Sequence, residues 1–188
     1  MLLVEAVERI IKDSYRASEV IARIRSLVKK TPPRSDWVDL NEVIVEVLAL
    51  AQNEARRHRV SLNRQLKEDL PRVRGDRVQL QQVVLNLIMN GLEAIARSKN
   101  GTRELSITSD VDDAQNVIVA VRDSGEGLDS ANLERVFDAF YTTKPQGMGM
   151  GLAISRTIIE SHGGRLWATT NSPKGAVFQF TLSTNHDK

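Results

Sequence analysis

The sequence predicts an α+β fold, a two-layer sandwich in which a mixed sheet of about five strands packs on about three helices, preceded by one long helix. Three observations support this class. The first thirty residues contain neither glycine nor proline and repeat apolar residues at heptad spacing. From about Trp37 onward, helical and extended patterns alternate. The strand patterns cluster late in the chain, which favours an α+β sandwich over a doubly wound sheet.

The long N-terminal helix is predicted from one stripe of residues spaced alternately four and three apart, which is a heptad seam. The stripe comprises Leu3, Val7, Ile10, Ser14, Ala17, Ile21, Ile24 and Val28. It stops at Thr31-Pro32-Pro33, where proline removes backbone donors and disfavours helix before it. Because a single helix cannot bury such a stripe, we expect residues 3–28 to pair with helices of another subunit, of a missing segment, or of both.

Three further helices follow from capping signals and glycine breaks. Asp39-Leu-Asn-Glu42 resembles a capping box and opens the first of them. Gly75-Asp76 breaks the chain before a second helix that runs to about Arg97. The third spans Gly151–Ser161, with Gly163-Gly164 as a left-handed cap. The first helix is expected to place on one face Val43, Val47, Leu50 and Ala51.

Five strands are predicted from alternating or continuous apolar runs. They cover residues 60–66, 104–110, 116–121, 165–170 and 176–182. The run VIVAV in the third is typical of a central strand, and the last two read as a hairpin around residues 171–175.

The composition of the 188 residues limits the functional classes. Hydrophobic residues make up 41% and charged residues 27%, which is ordinary for a globular protein. The absence of cysteine excludes a disulfide framework and a thiolate zinc site. The net charge of +2 does not argue for nucleic acid, and no apolar run approaches the roughly 18 residues of a membrane span. We therefore expect a cytoplasmic domain without nucleic acid or a membrane segment, compatible with a membrane-anchored parent protein.

One face of the second of these helices carries polar side chains at spacings of four, four, three and four residues. They are Gln82, Asn86, Asn90, Glu93 and Arg97. Asparagine is a mediocre helix former, so two aligned asparagines within a helix call for a reason. An amide oxygen is a hard, neutral ligand suited to Mg²⁺. A solvated face explains this helix equally well when it is taken alone.

A second candidate is Asp123, which directly follows the central strand in VRDSGEGLD. Gly125 and Gly127 let the chain turn sharply there, and a carboxylate at a strand end can accept a hydrogen bond from the exocyclic amine of adenine. A common Asp-Ser-Gly turn is the alternative interpretation.

A third candidate is GMGMG, in which Gly147, Gly149 and Gly151 lead into a helix. It fits neither G-x-G-x-x-G nor G-x-x-x-x-G-K-[ST], so neither of those phosphate loops is indicated. The main-chain amides and the positive end of the helix dipole at this junction nevertheless suit the binding of an anion. Lys144 could add a point charge, and a plain loop-to-helix junction is the alternative.

Taken in order, these segments closely resemble the ATP-binding domain of sensor histidine kinases, in the gyrase, chaperone, histidine kinase and MutL superfamily. The motifs are the N box LNLIMNGLEAI, the G1 box DSGEG, the F box VFDAFYTTK and the G2 box GMGMGL. GAVFQFTL is similar to the family's closing strand, and the resemblance covers residues 37–182. It implies that residues 1–31 are the second helix of a dimerisation and phosphoacceptor hairpin whose first helix is missing. Residues 32–38 would be a linker, 39–183 the ATP-binding domain and 184–188 a tail.

The resemblance also implies roles for the motif residues. Asn90, with Asn86 as a second candidate, would hold Mg²⁺ against the triphosphate of ATP. Asp123 would receive the adenine amine, and Gly125 and Gly127 would let the backbone pass close to the base.

The segment 130–150 would form a mobile lid, in which Lys144 and the amides near Gly147, Gly149 and Gly151 meet phosphates. The G2 box adds Leu152 to the nucleotide site, and Thr181 would reach the adenine edge through water. Ala94 departs from the aromatic residue that many relatives stack on the base. Glu93 departs from a phosphate-directed basic residue, a charge that Arg97 could supply one turn later.

The implied activity is transfer of the γ-phosphoryl group of ATP to a histidine on the missing helix, and then to an aspartate of a response-regulator receiver domain. A homodimer through residues 3–28 would bring the domain to its acceptor helix. None of His58, His162 and His186 lies on the heptad helix, and His162 is expected to be structural. We therefore expect the chain to bind ATP without phosphorylating itself.

Three alternatives stay open at this point. A clamp-type ATPase would need a glutamate base four residues before the metal-binding asparagine, where this chain has Asn86. A module that binds nucleotide or dimerises without kinase activity is the second. Nucleic-acid binding through residues 56–59 is the third, although a solvated helix end explains that run better.

Overall fold

The computed structural model of the protein describes residues 36–98, 101–142 and 148–184, which belong to the unit Arg34–Lys188. The predicted heptad helix and the homodimer through residues 3–28 lie outside the described residues, as do Lys144 and Gly147. The boundaries expected at residues 31, 38 and 183 stay predictions.

Seven strands and three helices are present in these described ranges. The strands are β1 (Asp36–Val38), β2 (Ser61–Leu66), β3 (Val73–Gly75), β4 (Glu104–Val111), β5 (Val117–Asp123), β6 (Arg165–Thr170) and β7 (Ala176–Leu182). The helices are α1 (Leu40–Arg57), α2 (Arg77–Arg97) and α3 (Gly151–Ser161), with two short 3₁₀ turns at Ser130–Asn132 and Arg135–Phe137.

The main sheet has five strands in the order β2-β4-β5-β7-β6. The pair β2 and β4 is parallel, and the other neighbouring pairs are antiparallel. Strand β5 is central, as the run VIVAV predicted. Its buried residues alternate with half-buried or exposed ones because, among the described elements, the helices cover one face of the sheet.

The three helices pack on that face and enclose the hydrophobic core. Its largest fully buried side chains include Leu40, Ile44, Leu80, Leu87, Ile88, Leu92, Ile95, Leu105, Ile107, Ile159, Leu166 and Phe180. Burying each side chain of this size contributes roughly 1.5–3 kcal/mol. The predicted two-layer α+β fold is confirmed.

Side-chain caps begin α1 and α2. The Asp39 carboxylate accepts from the amides of Asn41 and Glu42 at 2.9 and 3.2 Å, and Asp76 does the same for the first turn of α2. The capping box is only half formed in this sense, since the Glu42 carboxylate lies in an ion pair with Arg77 of α2. The helix starts therefore follow from the sequence, whereas the partner of Glu42 does not.

Leu50 was expected to share one face of α1 with Val43, Val47 and Ala51, but it is 72% exposed whereas those three residues are buried. In the second half of the helix, the buried stripe drifts around the axis toward Ala51 and Ala55. Leu50 is left on the rim because successive residues are about 100° apart.

Residues 36–38, predicted to be the end of the linker, form strand β1. This strand pairs antiparallel with β3, with Trp37 opposite Arg74. Strands of three residues are too short to show an apolar period, so only the pairing reveals them.

His162 has the structural role expected for it. Its side chain is 5% exposed, Nε2 accepts from the Asp76 amide at 3.0 Å, and Nδ1 donates to the Ile158 carbonyl at 2.7 Å. The imidazole thereby joins the end of α3 to the start of α2. Among the described residues, each helix is too short or too polar to cross a bilayer.

Candidate functional site

The G1 and G2 motifs both pack against the polar face of α2. A Cβ atom on Gly125 would lie 2.7 Å from the carbonyl carbon of Ala94, and one on Gly151 would lie 2.5 Å from Oδ1 of Asn86. These two contact points are eight residues apart on the helix, or about 12 Å. Two segments that lie 26 residues apart in sequence, at Gly125 and Gly151, therefore line one stretch of α2.

Asp123 is the last residue of β5 rather than the first residue after it, because its pairing with Leu105 extends the ladder. Its side chain is 2% exposed. Oδ1 accepts from the amide of Gly125 at 2.8 Å and from the amide of Ala176 at 3.4 Å. The backbone therefore fixes the orientation of the carboxylate.

Burial raises the pKa of Asp123 above the ordinary aspartate value. The hydrogen bonds from Gly125 and Ala176 and the positive charge of Arg97 act against that rise. The Asp123 carboxylate is therefore a hydrogen-bond acceptor whose position is fixed by its closely packed surroundings.

The β6–β7 hairpin forms the other side of the Asp123 surroundings, a feature that the motifs did not predict. The Asn171 side-chain amide donates to the Asp123 carbonyl at 2.9 Å. Gly175 packs so closely on the same carbonyl that a Cβ atom has no room. Gly127, at φ +83°, approaches Gly175 as well. The closing motif was recognised from the sequence, but the strand register that brings Gly175 and Ala176 to Asp123 was not.

Asn86 and Asn90 lie together with a residue of α3 that the sequence analysis missed. Nδ2 of Asn86 donates to Oγ of Ser155 at 3.0 Å, and Nδ2 of Asn90 lies 3.5 Å from Oδ1 of Asn86. Ser155 is 2% exposed. It was missed because a serine within an apolar helix gives no signal without its partner, 69 residues away.

Glycine is required at positions 149 and 151 for different reasons. Gly149 has a φ of +64°, and its carbonyl accepts from the Phe140 amide at 3.0 Å, which ties the G2 box to the F box. Gly151 begins α3 and has to lack a side chain because Asn86 approaches it. Leu152 is half-buried and packs against the hydrophobic core.

Thr181 was predicted at the adenine edge, but it lies away from the other site residues. It pairs with Ile118 of β5, five residues before Asp123, which is about 17 Å along the strand. It also faces the side of the sheet opposite the helices, since Val117, Val119 and Asp123 alternate with Ile118. The part of β7 beside Asp123 is its first residue, Ala176.

The polar face of α2 ends in two exposed charges. Glu93 and Arg97 are exposed, and the Arg97 charge acts on Asp123. This places Arg97 at the Asp123 end of the site rather than beside Asn90, about two helical turns away.

The donor set fits Mg²⁺ bound together with a nucleotide. The described residues contain no group of three or more His, Cys, Asp or Glu side chains that could form a protein-only metal cage. The amide oxygen of Asn90 is a neutral oxygen donor. Mg²⁺ keeps several waters and takes one or two protein ligands plus phosphates in sites of this kind.

Known proteins are similar to this chain over most of its length. Residues 75–186 match the family model described as Histidine kinase-, DNA gyrase B-, and HSP90-like ATPase. Sensor protein FixL of Bradyrhizobium diazoefficiens is 41% identical over 177 residues, which cover 94% of this chain and 35% of FixL. The chain spans about a third or less of the length of such curated relatives.

Two solved structures of histidine kinase ThkA are similar as well. The catalytic domain of ThkA is 35% identical with a TM-score of 0.70, covering 80% of this chain and 95% of that one. ThkA in complex with response regulator protein TrrA is 29% identical with a TM-score of 0.74, covering 94% of this chain and 49% of that one. By its matched residues, fold and motifs, the chain belongs to the family of histidine kinase-, DNA gyrase B- and HSP90-like ATPases, and its relatives within that family are sensor histidine kinases.

Proposed function

We propose that residues 39–183 bind ATP with Mg²⁺ and donate the γ-phosphoryl group to a histidine on a dimerisation helix, for later transfer to a response-regulator aspartate. The observation that carries this proposal is the convergence of Asp123, Asn90 and the start of α3 along one face of α2. An acceptor for a base and a ligand for a metal, separated by a few helical turns, suit an extended nucleotide.

Asp123 receives the adenine in this proposal. Its Oδ1 already accepts two backbone amides, and a carboxylate retains further acceptor positions on its second oxygen. The exocyclic amine of adenine is a donor, whereas guanine presents a carbonyl oxygen at that position. The proposed site therefore prefers ATP to GTP. Gly125 and Gly127 keep the backbone close to the base.

Asn90 is the proposed Mg²⁺ ligand. Asn86 was a second candidate, but both ends of its amide lie against Ser155 and Asn90, which supports a role in holding Asn90. When bound, Mg²⁺ neutralises the phosphate oxygens, and phosphoryl transfer depends mainly on such positioning and neutralisation.

The start of α3 faces the phosphates in this proposal. Gly149 and Gly151 bring main-chain amides of the G2 box to the end of the helix, where the dipole favours an anion. Lys144 and Gly147 are assigned to the phosphates through the resemblance. Arg97 is assigned to the adenine end, where its charge stabilises ionised Asp123. Glu93 is retained only as a neighbour of the site, because a carboxylate repels phosphate.

The partners follow from the same proposal. Residues 3–28 form the homodimer seam, and the acceptor histidine lies on the dimerisation helix. The complex of ThkA with TrrA supports a response regulator as the next partner. ATP chemistry of this type belongs in the cytoplasm.

A clamp-type ATPase is disfavoured by residue 86. Such an enzyme uses a carboxylate there to activate water, whereas the Asn86 amide is not a base and binds Ser155. A module that binds nucleotide without transferring it is a second alternative, and it differs from a kinase only in transfer to an acceptor.

An NMR titration with Mg²⁺ and a non-hydrolysable ATP analogue tests the nucleotide site. We expect shifts at residues 123–127, at residues 149–151 and at the side-chain amide of Asn90, with weaker effects from the GTP analogue. A saturating titration that leaves all three places unchanged would contradict the proposal.

A further inference from the structure

We propose that Ser155 is a positioning residue for the metal ligand Asn90, acting through the carboxamide of Asn86. This inference rests on the proposed function, because it needs Asn90 to bind Mg²⁺. It adds a residue outside the four sequence motifs and assigns it a defined task in orienting a ligand.

The contacts form a relay from α3 to α2. Ser155 Oγ accepts from Nδ2 of Asn86 at 3.0 Å. Oδ1 of Asn86 in turn faces Nδ2 of Asn90 at 3.5 Å. With its nitrogen turned toward Asn86, the Asn90 carboxamide directs its oxygen away from Asn86. That oxygen is the atom that Mg²⁺ requires.

The direction of the relay matters because the two ends of a carboxamide have almost the same shape but opposite hydrogen-bonding character. If Asn86 turned over, its nitrogen would face Asn90. Asn90 would then turn its own oxygen toward Asn86 and direct a donor at the cation. By accepting from Nδ2 of Asn86, Oγ of Ser155 holds Asn86 in the productive orientation.

Gly151 and Ser155 together form a receptor for Asn86 on α3. They are four residues apart and therefore lie on the same side of the helix. Gly151 gives room, since a Cβ atom there would lie 2.5 Å from Oδ1 of Asn86. Ser155 gives the polar partner on a side of α3 that otherwise buries Ile158 and Ile159. A buried hydroxyl is unfavourable unless it is hydrogen-bonded, so its partner accounts for the serine.

The variant Ser155→Ala tests this relay, with the dissociation constant of ATP measured by calorimetry in excess Mg²⁺ and in EDTA. We expect the tightening of ATP by Mg²⁺ to shrink by about 3- to 10-fold, the effect of one lost hydrogen bond. The affinity in EDTA should stay the same. In the nucleotide-free protein, the side-chain amide resonances of Asn86 and Asn90 should shift.

Two further variants control for packing. Thr157→Ala removes an exposed hydroxyl of the same helix, which donates to the Ala153 carbonyl of its own helix, and it should behave as the unmodified protein. Ser155→Cys keeps the shape of the side chain, with a larger sulfur atom in place of oxygen, but offers a weak acceptor, so it should reproduce Ser155→Ala even if the alanine variant folds poorly.

Equal losses in Mg²⁺ and in EDTA would overturn the proposal, since they indicate a structural role for Ser155. Full retention of the Mg²⁺ effect in both Ser155 variants would overturn it too. Failure of the proposed function is distinguishable, because the unmodified protein would then show no Mg²⁺-dependent ATP binding at all.

Discussion

At the scale of single residues, Asp123 combines deep burial with a fixed orientation. Two backbone amides hold Oδ1, and the hairpin residue Asn171 holds the Asp123 carbonyl. Burial disfavours the ionised form, and the amides and Arg97 only partly offset that effect. A carboxylate whose pKa is raised by burial, while hydrogen bonds fix its orientation, is typical of a functional site.

The variant Asp123→Asn should weaken ATP binding by about 5- to 150-fold, or roughly 1–3 kcal/mol. The amide oxygen can still accept from Gly125 and Ala176, so the nitrogen takes the place of the second carboxylate oxygen. A nitrogen donor cannot accept from the adenine amine. Calorimetric titration with ATP measures the loss.

Asp113→Asn, in the exposed turn between β4 and β5, is the matched control and should bind ATP normally. Unchanged affinity in Asp123→Asn would remove Asp123 from the site. An equal loss for ATP and GTP would show that Asp123 acts on the fold rather than on the base.

The same variant should change the dependence of stability on pH. The pKa of Asp123 is raised in the folded state, above an unfolded value of about 3.9. Its contribution to stability is therefore complete below that value and is lost as the pH rises through the folded pKa. Asp123→Asn cannot ionise, so it should be more stable than the unmodified protein at pH 7, and the two should converge near pH 4. Urea unfolding between pH 4 and 8 measures this, and a difference that grows toward low pH would contradict it.

At the scale of helices and strands, one side chain joins the ends of α1 and α2. The Arg103 guanidinium donates to the His58 carbonyl at 2.8 Å and to the Ser98 carbonyl at 3.2 Å. These residues cap the C-termini of the two helices, where carbonyl groups lack partners within the helix. The forked guanidinium can reach both at once.

Arg103→Ala should lower the free energy of unfolding by about 1–3 kcal/mol, because two charge-assisted hydrogen bonds to helix ends are lost. Arg103→Lys should recover only part of it, since an ammonium group lacks the fork. Urea denaturation measures both. Arg122→Ala, at an exposed position of β5, is the control, and a loss no larger than that of the control would contradict the role of Arg103.

At the scale of the whole molecule, the nucleotide surface and the acceptor histidine are expected on different parts of the parent protein. Of the two histidines among the described residues, His162 is buried with both ring nitrogens engaged. His58 ends α1 and pairs with Glu54 at 2.8 Å. Neither is presented as a nucleophile.

The chain should therefore retain no phosphohistidine after incubation with labelled ATP, whereas an added helical hairpin carrying an acceptor histidine should become labelled. Phosphate release into solution without labelling of the hairpin would favour an ATPase. Acid-labile label on the chain itself would contradict the expectation, and ATP binding without any transfer would favour a binding module.

The sequence predicted the larger elements well because their signals are local. The range of α3 was predicted in full, since Gly163 adopts a φ of +73° just after it, and both strands of the final hairpin were predicted to the residue. The strands β1 and β3 were missed because three residues carry no period. The grouping of Leu50 with the buried residues of α1 and the placement of Thr181 at the adenine edge were wrong. Both depend on which neighbouring element covers a given face of a helix or strand.

The sequence by itself determined the family resemblance, the caps at Asp39 and Asp76, and the residue types from which an ATP site is built, because each depends on chemistry within a few consecutive residues. The tertiary structure alone decided that Ala176 rather than Thr181 lies beside Asp123, and that Ser155 holds Asn86. These relations join residues more than fifty positions apart, and strand register and helix packing, which set such distances, arise only when the whole core is buried together.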